Sequence, residues 1–285
     1  MDALNGLANG LFNLLLWPFE GLGALVTLTV VSIVFMPLSM LFFKRFSSQK
    51  GIAAAKGKIK GHMIEIRIYQ DDLMVVMKAV GKVMYYNLKY LFLNFAPFIP
   101  ISVPFVIVVA QLVVRFGFAP IPVEENHLAD LRPGQGVMIE VVFDEDSKAK
   151  ALDLEIVLPE GLAVLSPMVP NAADGIAFME FAAVKAGSYD VEFKVGGETE
   201  TKRVVTGTET ERLMQPIRTG SFWDQWLWPV EPSFSAASGL ASIEIAYPDR
   251  QLTWMMDGAG GVFIMFVIIA FIIGGAAIKI FDIQI

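Results

Sequence analysis

The sequence predicts a two-part membrane protein: three transmembrane helices with the N-terminus outside and the C-terminus inside, a helical hairpin on the cytoplasmic side, and an all-β sandwich on the opposite side. Three observations carry that prediction. The 285 residues are 55% hydrophobic and 18% charged, with a mean hydropathy of +0.57, an apolar share above that of an ordinary soluble domain. Three stretches reach the ~20 apolar residues needed to cross a hydrocarbon layer ~30 Å thick. Charge is also segregated: residues 44–90 hold ten basic against three acidic side chains, and residues 120–257 hold 23 acidic against ten basic. Basic loops stay cytoplasmic, so the acidic segment lies outside.

Residues 1–20 lack the basic start and small-residue cleavage site of a signal peptide. LFNLLLWPFEG within them suits an amphipathic interfacial segment, with Trp17 as an anchor at the headgroup level. The other reading is that Leu11 to Trp17 extends the first span, interrupted at Pro18. That first span, residues 21–43, carries no charge and stops at Lys44-Arg45.

The hairpin, residues 44–90, breaks at Tyr69-Gln70-Asp71-Asp72, where the aspartates suit an N-cap and first helical turn. Its second arm puts Val76, Val80, Val83 and Asn87 near one stripe and Lys78, Lys82 and Lys89 on another. Gly51, Gly57 and Gly61 each cost about 1 kcal/mol in the first arm, which predicts mobility unless something packs on it.

The second span, residues 91–115, contains Pro97, Pro100 and Pro104. Kinks are expected at Pro37, Pro100 and Pro104. The third span, residues 258–280, includes Gly274-Gly275-Ala276-Ala277, small residues that permit close helix approach, and Lys279 near its far end.

Residues 120–257 alternate apolar and polar at period two in VMIEVVFD, ALDLEIVL, IAFMEFAAV, SYDVEFKV and TKRVVTGT, separated by Pro-Gly, Pro-Glu-Gly and Gly-Gly turns. Short strands so closely spaced predict an antiparallel sandwich. The phrases Val157-Leu158-Pro159-Glu160-Gly161-Leu162 and Ala186-Gly187-Ser188-Tyr189-Asp190-Val191 resemble those of bacterial immunoglobulin-like domains, without the cysteine pair. Trp223, Trp226 and Trp228 concentrate in GSFWDQWLWPVEP, where packing under the sandwich is expected ahead of dipping into headgroups or binding a partner.

Much chemistry is excluded. Without cysteine there is no disulfide, thiol nucleophile or cysteine-held metal, and His62 and His127 stand alone in the sequence. No phosphate loop, nucleophile elbow or paired His–carboxylate spacing occurs, so neither catalytic residues, metal nor cofactor are expected. Asp144-Glu145-Asp146 lacks the ligand spacing of a calcium loop and reads as a solvated turn.

Polar residues within the spans remain. Thr29, Ser32 and Ser39 are spaced i, i+3, i+10 and share one helix face, and Asn94 and Ser102 add to them from the second span. Either they line a hydrated, cytoplasm-facing groove, or each bonds its own helix backbone or glues helices together at about 0.6 kcal/mol apiece. Gln111 carries no assigned role.

The stretch Thr27 to Gly61, TLTVVSIVFMPLSMLFFKRFSSQKGIAAAKGKIKG, resembles the first span and hairpin start of the YidC/Oxa/Alb membrane protein insertases. Pro37-Leu38-Ser39 stands where the family has a Pro-Leu-Thr/Ser step, and Lys58-Ile59-Lys60 where it has a Pro-Lys-Ile-Lys-like coiled-coil start. Met74 to Val108 is similar to the second arm and the proline-containing next span, with Pro100 and Pro104 matching its prolines. The three-span, N-out layout resembles the archaeal members and the insertase subunit of the endoplasmic-reticulum membrane complex more than the five-span bacterial enzymes.

The resemblance implies a membrane protein insertase or chaperone of the cell membrane, working without ATP or cofactor on nascent or partner membrane proteins. It departs in one place: where many members carry a groove arginine, this chain has Ser32. Arg115 cannot replace it, being expected at the opposite membrane face. Lys50, Lys56, Lys58, Lys60 and Arg67 are the hairpin residues expected to meet anionic lipid, a ribosome or a nascent chain, or simply to keep the hairpin cytoplasmic. The competing reading is a non-catalytic membrane-anchored scaffold or sensor whose sandwich binds an envelope ligand or partner.

Overall fold

A computed structural model describes residues 2–19, 22–124, 131–207 and 213–281, with 277–281 as backbone alone. The chain divides into two compact units, a helical unit of Thr27–Phe105 with Phe266–Ile285 and a β-unit of Met1–Val26 with Val106–Met265. Six α-helices are described: α1 Asp2–Leu16, α2 Ala24–Phe46, α3 Gln49–Ile68, α4 Leu73–Phe95, α5 Phe98–Phe116 and α6 Gly258–Phe281. Three runs are long and apolar enough to cross a membrane: Ala24–Phe46, the α4–α5 run Leu73–Phe116, and Gly258–Ala276. They mark the chain as a membrane protein.

The first span starts and ends three residues later than expected. Gly23, at φ 84°, turns the chain ahead of Ala24, and Lys44 and Arg45 fall inside the last turn of α2, where cations suit the negative end of the helix dipole. Pro37 and Pro104 lie inside α2 and α5, positions from which a proline can bend a helix. Pro100 is different: it occupies the first turn of α5, where a backbone N–H has no partner within the helix to lose. It starts a helix and does not bend one. Between α4 and α5 the break is slight, since Ala96 stays in the right-handed helical region and donates its N–H to Phe92.

The hairpin forms as expected between Tyr69 and Asp72, and the Asp72 carboxylate accepts N–H bonds from Met74 and Val75 at 3.0 and 3.2 Å. The packing stripe of α4 is not the expected one, however. Val76, Ala79, Val83, Tyr86 and Tyr90 turn inward, whereas Val80 is 46% exposed and Asn87 is exposed. On α3 the inward residues are Ile52, Ala55, Ile59, His62 and Ile66. Both sets follow steps of three and four, the seam of a two-stranded coiled coil. Tyr86 stacks on His62 at 5.7 Å, and Lys56 lies 5.4 Å from the Tyr90 ring centre. Gly57 and Gly61 face open space, while a Cβ on Gly51 would come within 3.3 Å of Leu93. The glycine-bearing arm is therefore packed.

Where α2, α5 and α6 enter the helical unit, Phe35, Phe105 and Phe266 meet as three tilted rings with centroids 6.0 to 6.3 Å apart. A Cβ on Gly274 would lie 2.9 Å from Met36 Cε, so this glycine provides the expected close approach, whereas Gly275 faces open space.

The β-unit contains β1 Val137–Phe143, β2 Glu155–Val157, β3 Leu162–Asn171, β4 Ile176–Ala183, β5 Gly187–Val195, β6 Glu198–Thr206, β7 Ile217–Thr219, β8 Leu240–Ile245, β9 Gln251–Thr253 and β10 Met256–Asp257. Antiparallel pairing gives a five-stranded sheet ordered β3-β4-β1-β8-β7, a three-stranded sheet ordered β2-β5-β6, and the small β9-β10 pair. The two larger sheets share one core, in which Ile139, Val141 and Phe181 of the first meet Val191, Phe193 and Val204 of the second. This is sandwich-like, as expected.

The expected strand over ALDLEIVL is only half correct, because Glu145–Asp153 winds as a 3-10 helix and only Glu155–Val157 is strand. Strand β3 escaped the pattern because of Pro167 and Pro170. It stands at a sheet edge with two register shifts, where missing N–H donors are tolerated.

Two ion pairs are buried beside the second sheet. The Lys202 ammonium contacts the Glu231 carboxylate and the Gln215 carbonyl, and Arg218 reaches Glu200 at 2.8 Å. Burial pulls the Lys202 amine below its ordinary value, and Glu231 opposes that shift. In the other sheet Glu140 lies directly opposite Glu244. Desolvation, with the Glu140 charge adding to it, raises the Glu244 carboxyl above the usual carboxylate range.

A raised carboxylate pKa means the folded chain binds the proton more tightly than the unfolded one, so this site opposes folding at neutral pH and the penalty fades as pH falls through the folded value. Glu244→Gln should therefore stabilise the β-unit by about 0.5 kcal/mol at pH 7, and by less near the ordinary carboxylate pKa. Thermal unfolding at both pH values checks this, and an equal gain at both would refute the charge argument.

Candidate functional site

In the helical unit the five residues expected to line a groove have unlike surroundings. Ser32 is fully buried and donates to the Leu28 carbonyl at 2.8 Å. Thr29 and Ser39 are half-buried. Ser102 is exposed and donates to the Ile99 carbonyl at 2.7 Å. Asn94 donates from Nδ2 to the Tyr90 carbonyl at 2.8 Å. Ser32, Asn94 and Ser102 thus each close a bond within their own helix. Asn94 stands apart in one respect: its Oδ1 is buried and accepts no hydrogen bond, a condition that costs free energy and calls for a donor.

On the hairpin, Lys50, Lys58, Lys60 and Arg67 are exposed, whereas Lys56 lies half-buried over Tyr90. Lys58, Lys78 and Lys82 line a shallow concavity with His62, Tyr85 and Tyr86. His62 Nδ1 lies 2.7 Å from Glu65 Oε2. That bond, with Lys82 adding to it, holds the Glu65 carboxyl below its ordinary value.

Charge is only half of the hairpin's surface. Met63, Ile64 and Ile68 on α3, and Leu73, Met74 and Met77 on α4, are 58 to 73% exposed within about two turns of the tip. Sequence periodicity assigned this arm a stripe and a lysine face and missed the patch. The visible signal was the methionine spacing, since Met63, Met74 and Met77 flank the turn at Asp71-Asp72.

The β-unit holds a second polar assembly, built on Gln111, to which no role was assigned from sequence. Gln111 and Arg115, one turn apart on α5, are 0% and 4% exposed. Gln111 Nε2 donates to Asn9 Oδ1 at 2.6 Å, Arg115 Nη2 donates to Asn13 Oδ1 at 2.6 Å, and Arg115 Nη1 reaches Gln111 Oε1. Phe12 covers the guanidinium with its ring centre at 5.7 Å. Asn9 and Asn5 then donate to the carbonyls of Pro229 and Gln225 at 3.0 and 3.3 Å. The signal for this ladder lay in the sequence as Asn5, Asn9 and Asn13 at steps of four, matched to Gln111 and Arg115 at the same step.

The three tryptophans divide. Trp228 meets Phe118 as a tilted ring pair with centres 6.1 Å apart and packs against the sandwich core, as expected. Trp226 buries an Nε1 that makes no hydrogen bond. Trp223 is 77% exposed, contrary to packing under the sandwich, because the 3-10 turn Asp224–Trp226 points it outward.

No family model, curated protein or solved structure matches the chain.

Asn13→Leu leaves a buried Arg115 donor without its acceptor and should cost about 1–3 kcal/mol. Asn5→Leu removes one long bond and should cost under about 1 kcal/mol. Ser32→Ala, which loses only a bond to its own helix, should cost about 0.6 kcal/mol. Denaturant unfolding in micelles measures all three, and equal losses for the two asparagines would remove Arg115 from the explanation.

Proposed function

We propose that the chain is a membrane protein insertase or chaperone of the YidC/Oxa/Alb kind. The carrying observation is the exposed methionine and aliphatic patch at the free end of a basic hairpin. An apolar surface in water is unfavourable by about 25 cal/mol per Å² that could be covered, so a patch of this kind implies an occupant. Methionine is flexible and polarisable, and suits occupants of varied shape. The exposed lysines beside it can meet the phosphates of lipid or ribosomal RNA while the patch holds an apolar segment.

The hairpin's second arm leads with little interruption into the second span, where Asn94 presents its unpartnered oxygen. Water at that position would supply the missing donor. A hydrated slot bounded by Ser39, Asn94 and Ser102 would lower the cost of carrying polar groups toward hydrocarbon, where each unsatisfied group costs several kcal/mol. The ten basic residues of 44–90 support a cytoplasmic hairpin and, across the second span, an outer β-unit. With Ser32 sealed and bonded to its own helix, the slot works through hydration and carries no fixed cation.

Two measurements test the reading. The chain has no native cysteine, so single cysteines at Ser39, Asn94 and Ser102 can be probed with a charged thiol reagent from the hairpin side, with Lys58→Cys as the labelled control. Labelling is expected at all three, and protection at all three would sink the groove. In reconstituted vesicles, Met74→Glu with Met77→Glu should lower the yield of an inserted single-span substrate several-fold, and Met74→Leu with Met77→Leu should not. Insertion no better than in protein-free vesicles would move the assignment to a membrane-anchored scaffold.

A further inference from the structure

The helix α1 is inverted relative to a helix on a water-soluble surface. Its asparagine edge is bonded to the protein, whereas Leu7, Leu11 and Leu14 are 67 to 72% exposed along one stripe, continued by Trp17 at 71%. The same unit carries two further apolar projections. Phe222 and Trp223 are 54% and 77% exposed beside Gln225, the residue that accepts from Asn5. Trp254 and Met255, at the tip between β9 and β10, are 88% and 70% exposed.

All three projections are tied to the ends of helices that qualify as spans. Trp17 precedes α2 by a few residues, Trp254 and Met255 directly precede α6, and Phe222 and Trp223 adjoin Gln225, which α1 joins through Asn5 while its Asn9 and Asn13 hold Gln111 and Arg115 in the last turns of α5. We infer that these three projections seat the β-unit on the bilayer surface, with the headgroup–acyl boundary of the leaflet on that side as their occupant. Tryptophan and phenylalanine carry an apolar body suited to that depth. The segments 2–19, 220–232 and 251–258 contain neither lysine nor arginine, so the contact is hydrophobic and owes nothing to anionic lipid.

This inference requires the three helices to be embedded in a bilayer. It needs neither a client nor insertion activity, so failure of the insertase reading leaves it standing. The test uses the full chain in phosphatidylcholine vesicles, with the five tryptophans reduced to one by phenylalanine substitution.

With Trp223 or Trp254 retained alone, lipids brominated near the carbonyl end of the acyl chain should quench emission more than lipids brominated near the methyl end. Aqueous iodide should quench little, and adding anionic lipid or salt should change nothing. A variant retaining Trp228, which packs on Phe118, should ignore both bromine and iodide. Strong iodide quenching without a bromine effect would put the projections in water, and indifference to both would put them under a protein partner; either result overturns the inference. Should the multiple substitutions unfold the chain, nitroxides on Phe222→Cys and Met255→Cys give an independent reading, since oxygen should broaden their spectra more than a water-soluble nickel chelate.

Discussion

Polar atoms that lie away from water must be bonded, and much of this molecule is arranged around that requirement. The Ser32 hydroxyl and the Asn94 amide nitrogen meet it by turning back onto carbonyls of their own helices. Gln111 and Arg115 cannot meet it alone, because a guanidinium offers five donors. They draw in α1, whose asparagines supply acceptors to α5 and donors to the 225–229 loop. The position of an entire helix thus follows from the need to satisfy one buried cation. The oxygen of Asn94, left out of this economy, marks the place where water or another donor is expected.

The β-unit solves the same problem with charges. Lys202 and Arg218 are buried against Glu231 and Glu200, and each also donates to backbone carbonyls. Such pairs add little net stability, but breaking one strands a charge. They therefore lock the register of β6 against the 215–218 and 231–233 segments. Glu180 acts similarly, its carboxylate accepting from Gly134 and Gly136 at 2.8 and 2.6 Å to tie the approach to β1 onto β4.

Patterns that depend on one element alone were legible in the sequence. The three apolar runs, the hairpin turn with its Asp72 cap, and strands β1, β4, β5 and β6 needed only period and turn chemistry. What escaped depended on two elements at once. The hairpin seam was displaced onto Ala79, Tyr86 and Tyr90 because the choice of inward face belongs to α3 as much as to α4. The edge strand β3 carried prolines that argue against a strand until its place at the border is known. The asparagine ladder joins residues about a hundred positions apart, and the methionine patch became visible only once folding showed which methionines stay uncovered. Of the groove residues, type and position along the helix were readable, but which of them remain reachable was not.

The near-continuity of α4 with α5 has a mechanical consequence. Ala96 keeps its helical conformation and its bond to Phe92, so the 23 residues of α4 form a rod about 34 Å long that meets α5 at Ala96-Pro97. A tilt of about 10° at that joint would sweep the hairpin tip through roughly 6 Å, more than one helical turn of travel along a neighbouring segment. Any small adjustment around Pro97 would thereby be geared up into a larger excursion of the methionine-bearing end. The coiled-coil seam to α3 ensures that both arms swing together.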